Sequence, residues 1–515
     1  MQKLSSSALA VASLLILSKL LGFIRELVLA YQFGTSYIVD VYTACITLPS
    51  VLFAMYAYGI SDAYIPVYTR IKDGPDGNSF FNNVMTVFSA GSLFFSVICY
   101  LGAPKICGLL APGFDTQAQT LLIHFIRLIA PVFPLLTAHS LLSAHLQAKE
   151  FFVFANFCAF IVVNIIEITG ILLASESAPD IMVYGYLLSY LTIVILLGGY
   201  AFRKAELRYT PRLQLQNPKF LLLCRMAVPL GVSRLVNQLN SVVDRIFAST
   251  LGEGVISALS YADKIQLVFY TLTTSVFLSV CYPKINSHFA RGNIEGGLYL
   301  IRKAFILAVY ISLPVMGGLL LFARPLIIFL LERGNFSTES TTMTAGCLAF
   351  YALGVPFYAL RQIGTQALSA HMEQRRVMKN TIISVACNII LDFVLAPSFG
   401  YIGLATATSL SGLIASVLTL GDLRKLEMHV LQRAHIPEIL KIAAASLVSL
   451  ILCWCCYSAL LNNLGNNLSL IITGFTAIIS YVCFSILFRI EIFTWLYARL
   501  PARFQILPVL NRRKE

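Results

Sequence analysis

Charge is scarce in this sequence. Of 515 residues, 12% are Asp, Glu, Lys or Arg, about half the share of an ordinary soluble chain. Long polar stretches are missing too. Few connections between apolar runs exceed about twenty residues, which leaves little room for a separate soluble catalytic domain. There is no P-loop, no HExxH and no GxSxG, so nothing marks direct drive by ATP, a zinc protease or a serine hydrolase. No His or second Cys pair stands at a zinc spacing from "CWCC" at 453–456. The twelve cysteines lie almost all within apolar runs and read as small buried hydrophobes, silent on redox compartment.

What is abundant is apolar sequence: 58% of residues are hydrophobic. Runs of eighteen or more recur along the whole length, enough to span a bilayer. Backbone polar groups in lipid must pair internally, and continuous rather than alternating runs select helices over a barrel. The fold class is therefore an all-α polytopic membrane protein. Fourteen spans are expected, opening with 8–33 and 40–60 and closing with 379–398, 401–423, 438–461 and 467–489. The first run carries charges and lacks a cleavage site, so it reads as a permanent span rather than a signal peptide. The net charge of +13 comes from Lys and Arg clustered between runs, which argues for topology and against nucleic acid. Arg70, Lys149, Arg203, Lys204, Lys284, Arg375, Arg376 and the tail from Arg499 to Lys514 fall on one side; Lys105, Arg324 and Arg333 fall on the other. Positive-inside then places both termini in the cytoplasm. "LFARPLIIFLLERGNF" at 321–336 reads as an amphipathic surface segment with Arg324 and Arg333 towards solvent.

The chain also repeats itself. "SKLLGFIRELVLAYQFGT" at 18–35 aligns without gaps to "SRLVNQLNSVVDRIFAST" at 233–250. Ser-Ala-His recurs at 143–145 and 369–371, and "VNII" at 163–166 is echoed by "CNII" at 387–390. Pro66 and Pro283 close the next span of each half, and four matches in one order indicate two six-helix lobes of the same orientation, the layout of transporters that work by alternating access. The expected organisation is a lobe at 1–203, a cytoplasmic linker at 204–219, a second lobe at 220–424, and two further helices with a basic tail at 425–515.

Charges inside spans carry the functional signal. A charge at the bilayer centre costs about 2.5–3.5 kcal/mol on insertion scales, so it faces a bundle interior or water and is paired. Lys19 and Glu26 lie seven residues apart, within about 20° on one helix face. Arg25 sits in the same run, Asp40 opens the second span, Arg234, Asp244 and Arg245 lie in the seventh, Asp263 and Lys264 in the eighth, and Arg361 in the tenth. Salt-bridge pairing alone is the plain account of Glu26, Asp244 and Arg245. Lys19 and Arg234 recur at one place in each half, and cations outnumber anions, which suits an anionic ligand such as phosphate. His145 and His371 end two spans and read as helix caps or interfacial hydrogen-bonding groups. Asn164, Asn240 and Asn388 read as interhelical hydrogen bonders. Glu167 and Asp392 are candidate ion ligands that no spacing singles out.

"SKLLGFIRELVLAYQFG", "VDVYTACITLPS", "YIPVY", "APGF", "ISALSYADKIQL" and "LLERGNFSTES" occur in order between about residues 7 and 400. Together they resemble the MurJ (MviN) family of lipid II flippases, within the MOP transporter superfamily. The resemblance implies a lipid-linked oligosaccharide substrate, undecaprenyl-pyrophosphate carrying the peptidoglycan disaccharide-pentapeptide, moved across the bacterial inner membrane. Lys19 stands where the family has arginine, Arg25 and Asp40 match family residues, and Lys264 replaces an arginine. The last two spans would hold the polyprenyl tail. The expected substrate-binding set is Lys19, Arg25, Asp40, Arg234 and Lys264, supported by Glu26, Asp263 and Arg361. The sequence departs at Phe53, Ala54 and Tyr58, where the family carries a basic pair and an acidic residue. A flippase for another polyprenyl-linked glycan of O-antigen or capsule type is the nearest rival. A MATE-like antiporter is a further one, though that class favours anionic sites. The expectation is a monomeric transporter among membrane lipids, not an enzyme, without cofactor, its driving cation or potential left open.

Overall fold

The computed structural model describes residues 2–71, 76–276, 281–430 and 432–498. Some side chains within its helices, those of Ala54 and Arg234 among them, lie outside the description, as does the basic tail from 499 onward. In chain order the helices are α1 (Gln2–Phe33), α2 (Tyr37–Phe53), α3 (Gly59–Thr69), α4 (Asp76–Leu101), α5 (Ala103–Leu110), α6 (Thr116–Ile129), α7 (Val132–Ala148), α8 (Phe152–Phe157), α9 (Val163–Leu173) and α10 (Asp180–Lys204). There follow α11 (Pro218–Ser249), α12 (Val255–Val276), α13 (Tyr282–Ala290), α14 (Ile294–Leu321), α15 (Ala323–Leu330), α16 (Thr338–Ala352), α17 (Val355–Ala370), α18 (Gln374–Lys425), α19 (Ile436–Leu487) and α20 (Glu491–Tyr497). Single π-helical turns join α2 to α3 at Ala54–Tyr58 and α8 to α9 at Cys158–Val162.

Seven helices among the described residues are long and apolar enough to cross a membrane, or nine if each of two bent pairs is one span. Two of the seven are long enough to cross twice. α18 and α19 each run 52 residues, and each is broken by a glycine with left-handed backbone: Gly400 at φ 57° and Gly465 at φ 69°. A Cβ there would clash with the backbone, so only glycine turns the chain cheaply. Both breaks fall between expected spans, and each long helix supplies two crossings. α1, α11 and α12 complete an order consistent with fourteen spans; they are the helices that carry the charges. The duplication is also visible in shape. α6 and α7 meet at a 44° bend, and α16 and α17 meet at a 44° bend. Pro131 stands at the first break and Pro356 just inside α17 at the second, where proline removes a ladder hydrogen bond and stops one helix.

The chain forms two compact units. The first runs to Ser260 and takes in Arg333–Ser340; the second takes Tyr261–Glu332 and the chain from Thr341 on. Lipid tails are as apolar as leucine, so helix association rests on close packing and hydrogen bonds. The first unit achieves this with small residues. α9 and α10 cross at Gly170 and Gly185, where an added Cβ would come within 2.8 Å of the facing Cα. α3 and α11 cross at Gly59 and Gly231. An aromatic core of Tyr64, Tyr68, Phe80 and Phe81 fills the space between α3, α4 and α7. The connection after α10 is tied to α4: Asn82 donates to the Arg208 carbonyl at 3.0 Å, and Asn83 donates to the Gln214 carbonyl at 3.0 Å while accepting from its N–H at 2.6 Å. On the outer side of α4, Leu93, Phe94, Val97, Ile98 and Leu101 are all exposed. That apolar stripe is what a lipid-facing helix needs.

In the second unit α14 packs against α17 through Ile301, Phe305, Ile363 and Leu368. Its other end packs against α19 through Tyr310, Ile442 and Ala445. Tyr481 donates to the Tyr310 carbonyl at 2.6 Å, which locks this contact. Arg324 here and Arg333 of the first unit are exposed, as expected.

Two expectations are corrected. Asn164 donates to the Phe160 carbonyl one turn back on its own span rather than across to another helix. His145 is no interfacial group: it is fully buried and bonds Tyr64 at 2.9 Å inside the aromatic core. His371 does occupy the C-cap of α17.

Candidate functional site

α1 carries two of the expected cations, and they fare differently. Arg25 is drawn into the first unit by carboxylates on two helices. Its guanidinium pairs with Glu26 at 3.1 Å and, through the other terminal nitrogen, with Glu167 on α9. The Arg25 side chain is 25% exposed and that of Glu167 only 2%. A carboxylate so deep in a membrane protein requires a charged partner, and an arginine fork supplies one. Two carboxylates thus share one guanidinium. Tyr190 on α10 lies within electrostatic reach of Glu167, Arg25 and Tyr58, and its ring is 5.1 Å from that of Tyr186 and 5.8 Å from that of His139. Glu167, a candidate ion ligand in the sequence, is the acid that sequence reasoning did not join to Arg25. The available signal was electrostatic: a lone acid in the middle of the fifth span needs a cation, and Arg25 was the unexplained one.

Lys19, nearly two turns earlier, is exposed beside Ile16 and Leu20. It makes no ion pair among the described residues. Arg234 lies on the backbone of α11, and its side chain is outside the description.

Asp40 is 2% exposed. Both of its oxygens are engaged: one accepts from the Gly254 N–H and one from the Ser257 N–H, each at 2.7 Å. These are orphan donors at the start of α12, so Asp40 serves as the cap of that helix from a distant segment. Around it, the Tyr37 N–H donates to Glu253 at 2.9 Å. The Arg333–Ser340 segment docks on the end of α1: the Asn335 N–H donates to the Tyr31 carbonyl at 3.0 Å, its side chain to the Gln32 carbonyl at 2.7 Å, and Ser340 bonds Thr35 at 2.7 Å. The C-terminal carbonyls of α1 are satisfied this way. In the seventh span, Asn240 donates to Asp244 at 3.3 Å and Arg245 to the Thr43 carbonyl at 3.4 Å.

The second unit holds the remaining members. Asp263 is exposed and Lys264 half-buried on α12. Arg361 on α17 is half-buried near Tyr270 and Tyr358, whose rings lie 6.1 Å apart edge to face. Neither Lys264 nor Arg361 meets a carboxylate within ion-pair distance among the described residues. The structure therefore brings Arg25 and Glu26 together, and among the described residues Lys19, Lys264 and Arg361 meet no carboxylate within ion-pair distance.

The three departure positions sit at the π-helical turn. Phe53 is 2% exposed and stacks among Tyr56, Phe95 and Phe133, with ring centroids 5.4, 6.5 and 5.1 Å away. A cation at this place would be buried in an aromatic core. Tyr58, on the other side of the turn, is 48% exposed. Among the described residues no group of three or more His, Cys, Asp or Glu could hold a metal ion.

Residues 29–476 match the family model described as lipid II flippase MurJ. Among curated proteins, a probable lipid II flippase MurJ of Rhizobium meliloti (strain 1021) is 28% identical over 418 residues, covering 79% of this chain and 78% of that one. The corresponding protein of Thermotoga maritima is 26% identical over 484 residues, covering 92% of this chain and 94% of that one. Among solved structures, a lipid II flippase MurJ in an inward closed conformation superposes with a TM-score of 0.79 at 24% identity, covering 93% of this chain and 98% of that one. An inward-facing MATE family multidrug transporter of the MOP superfamily superposes at 0.67 with 14% identity, covering 80% and 95%. These two likenesses are of fold.

Proposed function

The chain belongs to the MurJ family of lipid II flippases, and from that premise we infer how its own residues serve the transport of a lipid-linked peptidoglycan precursor across the cytoplasmic membrane. The observation that carries the inference is a set of intramembrane cations that meet no carboxylate within ion-pair distance among the described residues: Lys19 on α1, Lys264 on α12 and Arg361 on α17. An unpaired cation in a membrane helix is costly unless water or an anion meets it. A pyrophosphate meets it well, and arginine can engage its oxygens in pairs.

In this reading Lys19, Lys264 and Arg361 offset the diphosphate charge. Arg25, already shared by Glu26 and Glu167, presents a charge that is largely neutralised, so it orients the head group more than it attracts it. Asp40 contributes by holding the start of α12 in place. The polyprenyl chain stays in lipid along the exposed apolar faces of α19, at Leu447, Ile451, Phe475 and Ile479. Alternating access then carries the polar head from the cytoplasmic side to the outer side. Both termini face the cytoplasm, in keeping with the basic connections, and the monomer is the working form.

A second reading is favoured by one observation. Phe53 is sealed in an aromatic cluster where the resemblance expects a cation, which suits a different polyprenyl-linked glycan with fewer phosphate contacts.

The test is complementation in a bacterium depleted of its own flippase. Lys19→Ala is the informative variant, because Lys19 is exposed and makes no ion pair among the described residues, so its loss leaves the fold alone. Lys19→Ala combined with Lys264→Ala is expected to abolish growth while membrane levels stay normal. Full growth with both lysines replaced rejects the cationic-site reading. Native mass spectrometry of the purified protein separates the two substrates by the head group that stays bound.

A further inference from the structure

The segment from α2 through the π-turn to α3 is largely enclosed, and what it leaves exposed is unusual. Its exposed residues among those described are Ser50, Tyr58, Asp62, Pro66, Thr69 and Arg70. Not one is Leu, Ile, Val or Phe. α4 beside it exposes the opposite kind of surface, the Leu93 to Leu101 stripe. A helix surface of hydroxyl, phenol and carboxylate groups is incompatible with hydrocarbon contact and marks water access at membrane depth.

Tyr58 is the largest group on that surface, and its position is rigidly set. On one side the Tyr56 hydroxyl donates to the Phe88 carbonyl at 2.6 Å and its ring lies 5.5 Å from that of Phe88. Gly91 leaves the room for that hydroxyl, since a Cβ there would sit 2.5 Å from it. On the other side Gly59 rests on the α11 backbone, where a Cβ would come within 2.9 Å of the Ala227 carbonyl oxygen and Gly231. One π-turn, an insertion often retained at functional sites, thus aims Tyr58 outward between two fixed neighbours. Tyr190 lies within electrostatic reach of it, and the Arg25–Glu167 pair lies close to Tyr190.

We propose that Tyr58 is a platform for a sugar ring of the lipid-linked substrate, with Ser50 and Asp62 on the same stripe bonding its polar groups. This rests on the flippase reading above and deepens it. The C–H face of a pyranose packs on an aromatic face, and the sugar's hydroxyl and amide groups suit hydroxyl and carboxylate partners. A phenol serves well because its body is apolar and its tip is wet. Charge recognition of the diphosphate would fall to the cations, and recognition of the carbohydrate to this uncharged ring.

The experiment compares two probes, lipid II and undecaprenyl pyrophosphate, binding to the full chain in nanodiscs. The wild-type protein is expected to bind lipid II more tightly. Tyr58→Leu, which keeps bulk without the aromatic face, is expected to weaken lipid II about three- to tenfold and to leave undecaprenyl pyrophosphate unchanged. Tyr58→Trp is expected to keep the preference, and its normal binding shows that the turn tolerates replacement. Equal weakening of both probes by Tyr58→Leu, or no weakening of either, overturns the platform. If the wild-type protein binds neither lipid, the flippase reading itself falls, an outcome distinct from loss of the sugar preference alone.

Discussion

Arg25→Ala offers the sharpest check on the ion network of the first unit. The substitution removes the guanidinium that Glu26 and Glu167 share and leaves Glu167, 2% exposed, as a buried charge without a counter-ion. Breaking one side of a buried pair typically costs about 3–5 kcal/mol, whereas replacing both partners by apolar residues of similar volume is often neutral or stabilising. Arg25 is one-quarter exposed, so water recovers part of the loss and the lower end of that range applies. The expected stability order is wild type close to Arg25→Met with Glu167→Leu, then Arg25→Lys, which keeps charge but loses the fork, then Arg25→Ala. The protein supplies its own probe. Cys45, Cys99, Cys107 and Cys158 are free and buried, so a thiol-reactive dye reports thermal unfolding in detergent. Arg25→Ala melting with the wild type, or the double variant melting no better than the single one, would refute the pairing argument. Complementation adds a second reading from the same proteins. If Arg25 also orients the head group, the double variant folds yet fails to support growth.

Two further predictions concern packing and capping. Asp40→Ala strips two charge-assisted bonds from the start of α12 and is expected to cost about 1–3 kcal/mol, with Asp40→Asn losing less; melting curves identical to wild type for both would end the capping role. Gly59→Ala places a methyl 2.9 Å from backbone atoms of α11, so α3 and α11 must part, at about 1–3 kcal/mol. Gly108→Ala, with open space around the added atom, serves as the control and should leave the melting temperature unchanged or slightly raised.

Much of this protein is legible in its amino-acid order. Hydropathy is local and additive, so the fold class and the succession of spans could be read from composition along the chain. The breaks at Gly400 and Gly465 fall between spans read from hydropathy, whereas the bends beside Pro131 and Pro356 lie inside stretches read as single spans. The duplication showed in matched residues and reappeared as two equal 44° bends. The charges in α1 and α12 announced themselves because lipid tolerates so few.

What those charges do was not legible. Arg25 meets Glu167 across 142 positions of sequence, Asp40 meets Gly254 and Ser257 across 214 and 217, and Asn335 reaches Gln32 across 303. No periodicity encodes such pairings. They depend on which helices become neighbours, and that is settled by glycine crossings and side-chain fit over the whole unit. Asn164 and His145 illustrate the same limit, since a polar side chain near a helix end looks alike whether it faces its own helix, a neighbour or the core. The sequence by itself determined which polar groups enter the membrane; tertiary structure alone decided which of them are neutralised, because electrostatic energy depends on distances of a few ångströms that only packing sets.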